Sequence, residues 1–329
     1  MFLHSKNLRM KQRIGARLMH RFMMAMFLIF TFLPNFAVYA IADEIGIVYP
    51  ALREPYKAIF DSIIEGIDEA LPKQTLTYEL NDDDNSSRIN AWVENNKLDG
   101  VIFLGRAGFE IAQELPDTKP RVFGAVVTTP ADTPKGLIGI TQIPDPQKML
   151  QNLKLLASEV RRITVVYTEE NSAWLIPKAE RAASQYGYVL NKVLVTDLRE
   201  AANFYRSYFD TVTKEDALWL LQDSKTIDNG PVLSDILKNA WSYEITVFSS
   251  NPAHVPRGAL FSLYPSNREL GVHLGQMMQE QLKDQSITNS VHALTDVSLA
   301  VNIRTAEHLG YSYSGSQRRN FGLVFPRRP

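Results

Sequence analysis

The chain has 329 residues, no cysteine and 45% hydrophobic residues. That is enough for one large domain or two ordinary ones, and it excludes disulfides, thiolate metal sites and a cysteine nucleophile. Residues 1–42 hold six basic and no acidic side chains, so residues 43–329 carry 29 Lys+Arg against 36 Asp+Glu, a net charge of −7, which argues against a nucleic-acid or anionic-membrane partner.

In chain order, Lys6, Arg9, Lys11, Arg13, Arg17 and Arg21 precede the apolar stretch "FMMAMFLIFTFLPNFAVYAIA", which ends in an A-x-A pattern at Ala40 and Ala42. This is the layout of a secretory signal peptide over 1–42, cleaved near Ala40 or Ala42, with the periplasm as destination. A membrane anchor is the alternative; Pro34 and Asn35 interrupt the stretch before it reaches a comfortable span. No other apolar run reaches spanning length. Asn85-Ser86-Ser87 matches a glycosylation sequon and reads as a chance match in a polar loop.

After residue 42 short apolar runs alternate with amphipathic ones. "IGIVY" (45–49) reads as a buried strand. Tyr56, Ile59, Phe60, Ile63, Ile64, Ile67 and Leu71 recur at three- and four-residue spacing, one face of a helix that Pro72 ends. "LTYEL" (76–80), a helix over 86–96, "GVIFLG" (100–105), a helix over 107–115 and "RVFGAVV" (121–127) complete a first set. The rhythm restarts at "ITVVY" (163–167), with helices over 174–186, 198–211 and 231–241 and strands over 188–195, 217–221 and 245–248. Two successive β-α-β-α sets predict an α/β protein of two doubly wound, parallel-sheet lobes.

Sites in such sheets form at the carboxyl ends of strands. Here those ends run into polar loops: "PALRE", Gly105-Arg106, Thr128-Thr129, "TEENSAW", "QDSKT" and Ser249-Ser250-Asn251. Each loop alone is also an ordinary cap or turn; six at one edge point to a cleft between the lobes. The expected contacts are Tyr49, Arg106, Thr128, Asn171, Ser172, Trp174, Gln222, Asp223, Ser224, Thr226, Ser249 and Tyr264. Arg106 offers a rigid fork for a carboxylate, Asp223 takes an ammonium or hydroxyls, and the aromatic rings supply an apolar wall. Arg106 and Asp223 on opposite lobes would bridge a zwitterion; the competing expectation for Asp223 is that it caps the following turn or pairs with Lys225.

No phosphate loop, nucleophile elbow or H-E-x-x-H motif is present. His254, His273, His292 and His308 lack ligand spacing, and "NDDDN" (81–85) reads as a solvated turn, without the alternating ligands and distal Glu of a calcium loop. The expectation is a non-enzymatic protein with no metal and no cofactor.

The segments "PRVFGAVVTTP" (120–130), "GLIGITQIPDPQKMLQNLKLL" (136–156), "ITVVYTEENSAW" (163–174), "GALFSLYPSNRELGVHLGQMM" (258–278) and "SLAVNIRTAEHLGY" (298–311) resemble the ABC transporter substrate binding proteins, periplasmic components of importers with a LacI/ribose-binding-like, type I fold. The last segment is the most specific, since the family closes with a strand followed by Val-Asn-x-x-Thr-Ala-x-x-Leu-Gly. The chain departs from the family at "LGRAGFE", where many members carry Gly-Thr-x-Ala, at Thr129-Pro130, where many have Asp-Pro, and in the ending "SGSQRRNFGLVFPRRP". The resemblance implies a monomer that binds a small solute for a membrane permease, or for a membrane sensor such as a histidine kinase or cyclase. It also implies three chain crossings, with 43–142 plus 254–284 in the first lobe and 143–253 plus 285–329 in the second.

Overall fold

The computed structural model describes residues 44–284 and 291–326, so the expected signal peptide lies outside the described residues. The first half is built from β1 (Ile45–Pro50), α1 (Tyr56–Ala70), β2 (Leu76–Leu80), α2 (Ser86–Asn95), β3 (Gly100–Leu104), α3 (Gly105–Glu114), β4 (Arg121–Val126) and β5 (Leu137–Pro144). Successive residues of a strand point to opposite faces, and both faces are apolar here. On one face Ile47, Ile102, Val122 and Ile138 pack with Ile63 and Ile67 of α1. On the other, Val48, Val101, Phe103 and Phe123 pack with Ile89 and Val93 of α2 and Phe109 and Ala112 of α3. That is why these strands read as continuous apolar runs.

The second half comprises α4 (Pro146–Leu156), β6 (Arg162–Tyr167), α5 (Ile176–Tyr186), β7 (Val189–Leu194), α6 (Leu198–Tyr208), β8 (Asp216–Leu220), α7 (Pro231–Tyr243) and β9 (Thr246–Ser249). It continues through β10 (Phe261–Pro265), α8 (Asn267–Lys283), β11 (Val291–Leu294), β12 (Val297–Asn302), α9 (Ile303–His308), α10 (Gly315–Arg318) and β13 (Phe321–Phe325), though α8 and β11 return to the first half. Val165, Trp219, Phe248 and Phe261 fill one face of the second sheet; Val166, Leu218, Leu220 and Val247 fill the other. The expected helix at 174–186 starts with a 3-10 turn at Ala173–Leu175, and Pro177 sits in the first turn of α5, where a missing N–H costs nothing.

The strand orders are β11-β5-β4-β3-β1-β2 and β13-β12-β10-β9-β8-β6-β7. All pairings are parallel except β10 with β12. The chain passes between the sheets after Pro144, after Pro265 and after Leu294. These crossings are tied to one another: Asp145 donates its N–H to the carbonyl of Leu294 and Ser266 donates to that of Asp296, both at 2.9 Å. The Asp296 carboxylate also meets His273 Nδ1 of α8 at 2.9 Å.

The sheets divide the chain differently from the expected boundaries in three places, the first being that Ile143 and Pro144 belong to β5 of the first sheet. Residues 261–265 join the second sheet, not the first, because Phe261 stacks on Phe248 at 5.2 Å and extends the buried row begun by Trp219. Residues 291–294 join the first sheet beside β5, where Ala293 and Leu294 are buried.

α1 and α8 cross at glycines. A Cβ on Gly66 would lie 2.1 Å from the carbonyl oxygen of Arg268, and one on Gly271 would lie 2.0 Å from that of Ile63. Alanine at Gly271 would gain about 1 kcal/mol of helix propensity. The clash is with backbone, which cannot rotate away, so overpacking should win by about 1–3 kcal/mol. Denaturant unfolding of Gly271→Ala is therefore expected to show a lower midpoint; an unchanged or higher midpoint would mean that the helices part freely.

Candidate functional site

In each sheet the strand order reverses next to the strand that begins the half, at β1/β3 in the first and at β6/β8 in the second. A crevice opens at the carboxyl end of such a switch point because the flanking connections leave on opposite faces. Tyr49 is the last residue but one of β1, and Gly105-Arg106 follow β3 without an intervening loop. Gly105 makes that abrupt passage with φ at +74°, where any Cβ would also press on Phe60 at 3.2 Å and Pro50 at 3.3 Å. The residue after it is thereby placed at the sheet edge.

Arg106 is exposed. Its Nη2 donates to the carbonyl of Val127 at 2.7 Å, and its guanidinium lies 5.9 Å from the Phe109 ring centroid. The remaining N–H groups have no hydrogen-bond partner among the described residues. Tyr49 is half-buried and stacks on Phe60 at 6.5 Å; burial, with Glu79 and Asp61 nearby, raises its phenol above the usual range. Thr128 is turned inward: its N–H donates to Thr141 Oγ1 at 3.0 Å and its hydroxyl faces that of Thr133 at 3.4 Å.

At the second switch point Asp223 is 3% exposed, and five donors converge on its carboxylate. Oδ2 accepts from the hydroxyls of Ser172 at 2.6 Å and Thr168 at 2.7 Å and from the Thr168 N–H at 3.3 Å. Oδ1 accepts from Asn171 Nδ2 at 2.8 Å and from the Lys225 N–H at 3.0 Å. Burial alone pushes this acid up, but Ser172, Asn171, Thr168 and Lys225 outweigh it and hold it below the usual carboxylate range. The expected ligand group is thus a latch joining the β6 and β8 loops: it caps the following turn through the Lys225 N–H, as the competing expectation had it, and does not pair with the Lys225 ammonium. That ammonium pairs with Glu170 instead.

Thr226 is also inward, its hydroxyl donating to the Asp223 carbonyl at 3.0 Å. Gln222 is half-buried and Ser224 exposed, and neither side chain has a hydrogen-bond partner among the described residues. Trp174 packs against the second core with its indole N–H buried and unpaired. Tyr264, the last residue but one of β10, has its hydroxyl against Gly322, where a Cβ would lie 2.2 Å away.

Ser249 is fully buried in a relay that sequence reading did not find. Its hydroxyl meets His254 Nδ1 at 2.8 Å, and His254 Nε2 meets Asn229 Oδ1 at 2.9 Å. Since the amide oxygen only accepts, Nε2 carries the proton and Nδ1 accepts from the serine. Burial, with the Arg257 charge beside it, pushes His254 down to about 4. Ser249 and His254 are buried and the chain reaches the surface at Asn229, so Ser249 acts as a strut of the β9 loop. Thr168, Glu170 and Asn229 were likewise missed; Thr168 and Glu170 stood in the polar burst after β6, but nothing local distinguished them from capping residues.

The twelve expected residues therefore separate. Thr128, Ser172, Asp223, Thr226 and Ser249 spend their polar atoms inside the protein, and Asn171 gives one N–H to Asp223. Arg106, Gln222 and Ser224 keep unspent donors at the two switch points, with Tyr49 and Trp174 as the adjacent rings, and Tyr264 turns its hydroxyl to Gly322. Among the described residues no group of acidic or histidine side chains could hold a metal, and no helix is long and apolar enough to cross a membrane.

Residues 117–316, more than half of the chain, match a family model described as ABC transporter substrate binding protein. No curated protein matches the chain. Among solved structures it is similar to a ligand-free, open substrate binding protein with adhesive properties from Clostridium difficile, at 17% identity and a TM-score of 0.60, covering 87% of this chain and 100% of that one. It is similar to an ABC domain in complex with L-Trp from Streptococcus pneumonia, at 18% identity and a TM-score of 0.51, covering 86% and 100%. At these identities the likeness shows the fold. The chain belongs to the ABC transporter substrate binding protein family, and its two α/β sheets have the type I periplasmic binding architecture.

Proposed function

We propose that this substrate-binding protein holds a small polar, amino-acid-like solute between its two lobes and delivers it to the permease of an ABC importer from the periplasm, after removal of residues 1–42. The observation that carries the reading is the pairing of unspent donors at both switch points: the Arg106 fork on one side, Gln222 and Ser224 on the other. A guanidinium with free N–H groups suits a carboxylate, and half-buried aromatic rings suit the apolar body of such a solute. The L-Trp complex of the Streptococcus pneumonia structure supports the same ligand class. Asp223 serves by fixing the loop that presents Gln222 and Ser224. In this reading the two lobes are 44–144 with 267–284 and 291–294, and 145–265 with 297–325, and they close about the three crossings.

One preparation tests the proposal. Full-length protein is expressed with its leader, recovered from the periplasm, and its intact mass measured; a start near Ile41 or Asp43 is expected. Thermal-shift screening with amino acids and small organic acids should then find a stabilising ligand, by roughly 2.7 kcal/mol at 100 times its dissociation constant. Calorimetry on Arg106→Ala should show affinity weakened by about 1.5–3 kcal/mol, the usual worth of a hydrogen bond to a charged group, with little change in apo melting. Unchanged affinity would remove Arg106 from the site. Stabilisation by neutral sugars alone would sink the amino-acid reading.

A further inference from the structure

The edge of the second sheet opposite the switch point carries a second concavity. It lies between the end of α7, the entry to β9 and α9, and has a volume of about 430 Å³. Four basic side chains line it, Lys238, Arg257, Arg304 and His308, and no carboxylate does. His308 stacks flat on Trp241 at 3.6 Å and donates Nε2–H to the Trp241 carbonyl at 2.8 Å. The Arg304 guanidinium sits 5.4 Å from the same ring centroid. Arg257 spends one donor on the Asn229 carbonyl and one on Ser234 Oγ. Lys238 and Arg304 have no ion-pair or hydrogen-bond partner for their charged groups among the described residues.

Beside this basic pocket runs a groove of about 610 Å³ between α9 and the edge strand β13. Ile303, Phe321, Val324, Phe325 and Pro326 form it, and Val324 is 40% exposed. Glu307 and Arg318 stand at its walls, the latter donating Nε–H to the Tyr313 carbonyl at 3.2 Å. Arg304 and Pro326 line both the pocket and the groove.

We propose that pocket and groove together seat an amphiphile with an anionic head and a single apolar chain, the head on Lys238, Arg257 and Arg304 and the chain along α9 and β13. Charge complementarity selects the head: residues 43–329 are net −7, yet the charged side chains that line this pocket are all cationic. A bare small anion would gain little from a partly open, solvent-screened site, and an uncharged apolar molecule would leave the cations unused. The shared Arg304 joins the two subsites, so a molecule bearing both features gains from each. Carboxylate and phosphate heads share this chemistry.

The test is calorimetry on the purified mature protein, below micelle formation, with dodecanoate, dodecyl phosphate, dodecanol and inorganic phosphate as probes. Dodecanoate or dodecyl phosphate should bind at one site, and the preferred head identifies which anion is the natural one. Arg304→Gln and, separately, Val324→Asp should each weaken that binding about tenfold, the worth of one charged hydrogen bond or of about two buried methylenes. Melting temperatures check that both fold, and Lys238→Gln replaces either variant that does not. Equal binding of dodecanol, equal binding of inorganic phosphate, absence of binding, or amphiphile binding that all folded variants retain would each overturn the proposal. Retention would place the amphiphile elsewhere, such as between the lobes. None of these results depends on the solute reading above, because that site is probed by Arg106→Ala with amino acids.

Discussion

Replacing Asp223 with alanine is expected to lower the unfolding free energy by about 3–5 kcal/mol, because several neutral donors lose their shared acceptor at once. The size follows from what is left behind. The carboxylate is 3% exposed, and its loss would strand the hydroxyls of Thr168 and Ser172, the amide of Asn171 and two backbone N–H groups. Each unsatisfied buried group costs about 1–3 kcal/mol, reduced where water can enter. Asp223→Asn should cost less, since its amide oxygen still accepts from one side. Because the latch joins the β6 and β8 loops, solute affinity should fall with it. Denaturant unfolding and calorimetry on the two variants check this. Wild-type stability in Asp223→Ala would show that the five donors find water as easily as they find the carboxylate.

Acidification from about pH 6.5 to about pH 4 should remove about 3 kcal/mol through His254 alone. Its folded value of about 4 lies below the ordinary 6.5, because burial and the Arg257 charge oppose a second proton. The unfolded chain therefore takes up a proton first as pH falls, and a gap of this size is worth about 3 kcal/mol. The contribution is complete above the ordinary value and is lost as pH drops through the window. His292, also held low by burial, then by Lys178 and His273, acts in the same direction. His273 has the opposite sign: its hydrogen bond to Asp296 raises it, so its contribution is present below the ordinary value and lost as pH rises. Comparing stability against pH for wild type and His254→Gln isolates the relay. If the two curves stay parallel between pH 6.5 and 4, the histidine titrates normally and the buried Ser249–His254 pair is open to water.

The alternating pattern was readable because both sheet faces are covered. Runs such as "GVIFL" and "ALWLL" are buried on both sides, so their strands stand out against the amphipathic helices without any knowledge of the fold. The crossings were harder to read. Nothing in residues 258–265 says which sheet they join; that is decided by Phe261 stacking on Phe248, a partner outside the local sequence. The site was legible as an edge and not as a set of contacts. The polar bursts after β6 and β8 do mark the second switch point, but Asp223 is committed to Thr168 and Ser172, 55 and 51 positions away. A carboxylate's role depends on which donors reach it, and that is a property of the packed loops.

The interleaving of the two sheets has a consequence for how the chain is made. The first sheet is incomplete until β11 at residues 291–294 has been synthesised, and the second until β12 and β13 follow. The seam between α1 and α8, with its glycine crossing, also carries an ion pair from Arg268 to Glu65 across 203 positions. Contacts of such separation pay their loop-closure entropy before returning any stability, which slows collapse. Neither lobe can therefore finish folding while the nascent chain is still short. A polypeptide built this way stays threadable through a narrow pore until nearly its whole length has appeared, and a destabilised α1–α8 seam would lengthen that interval further.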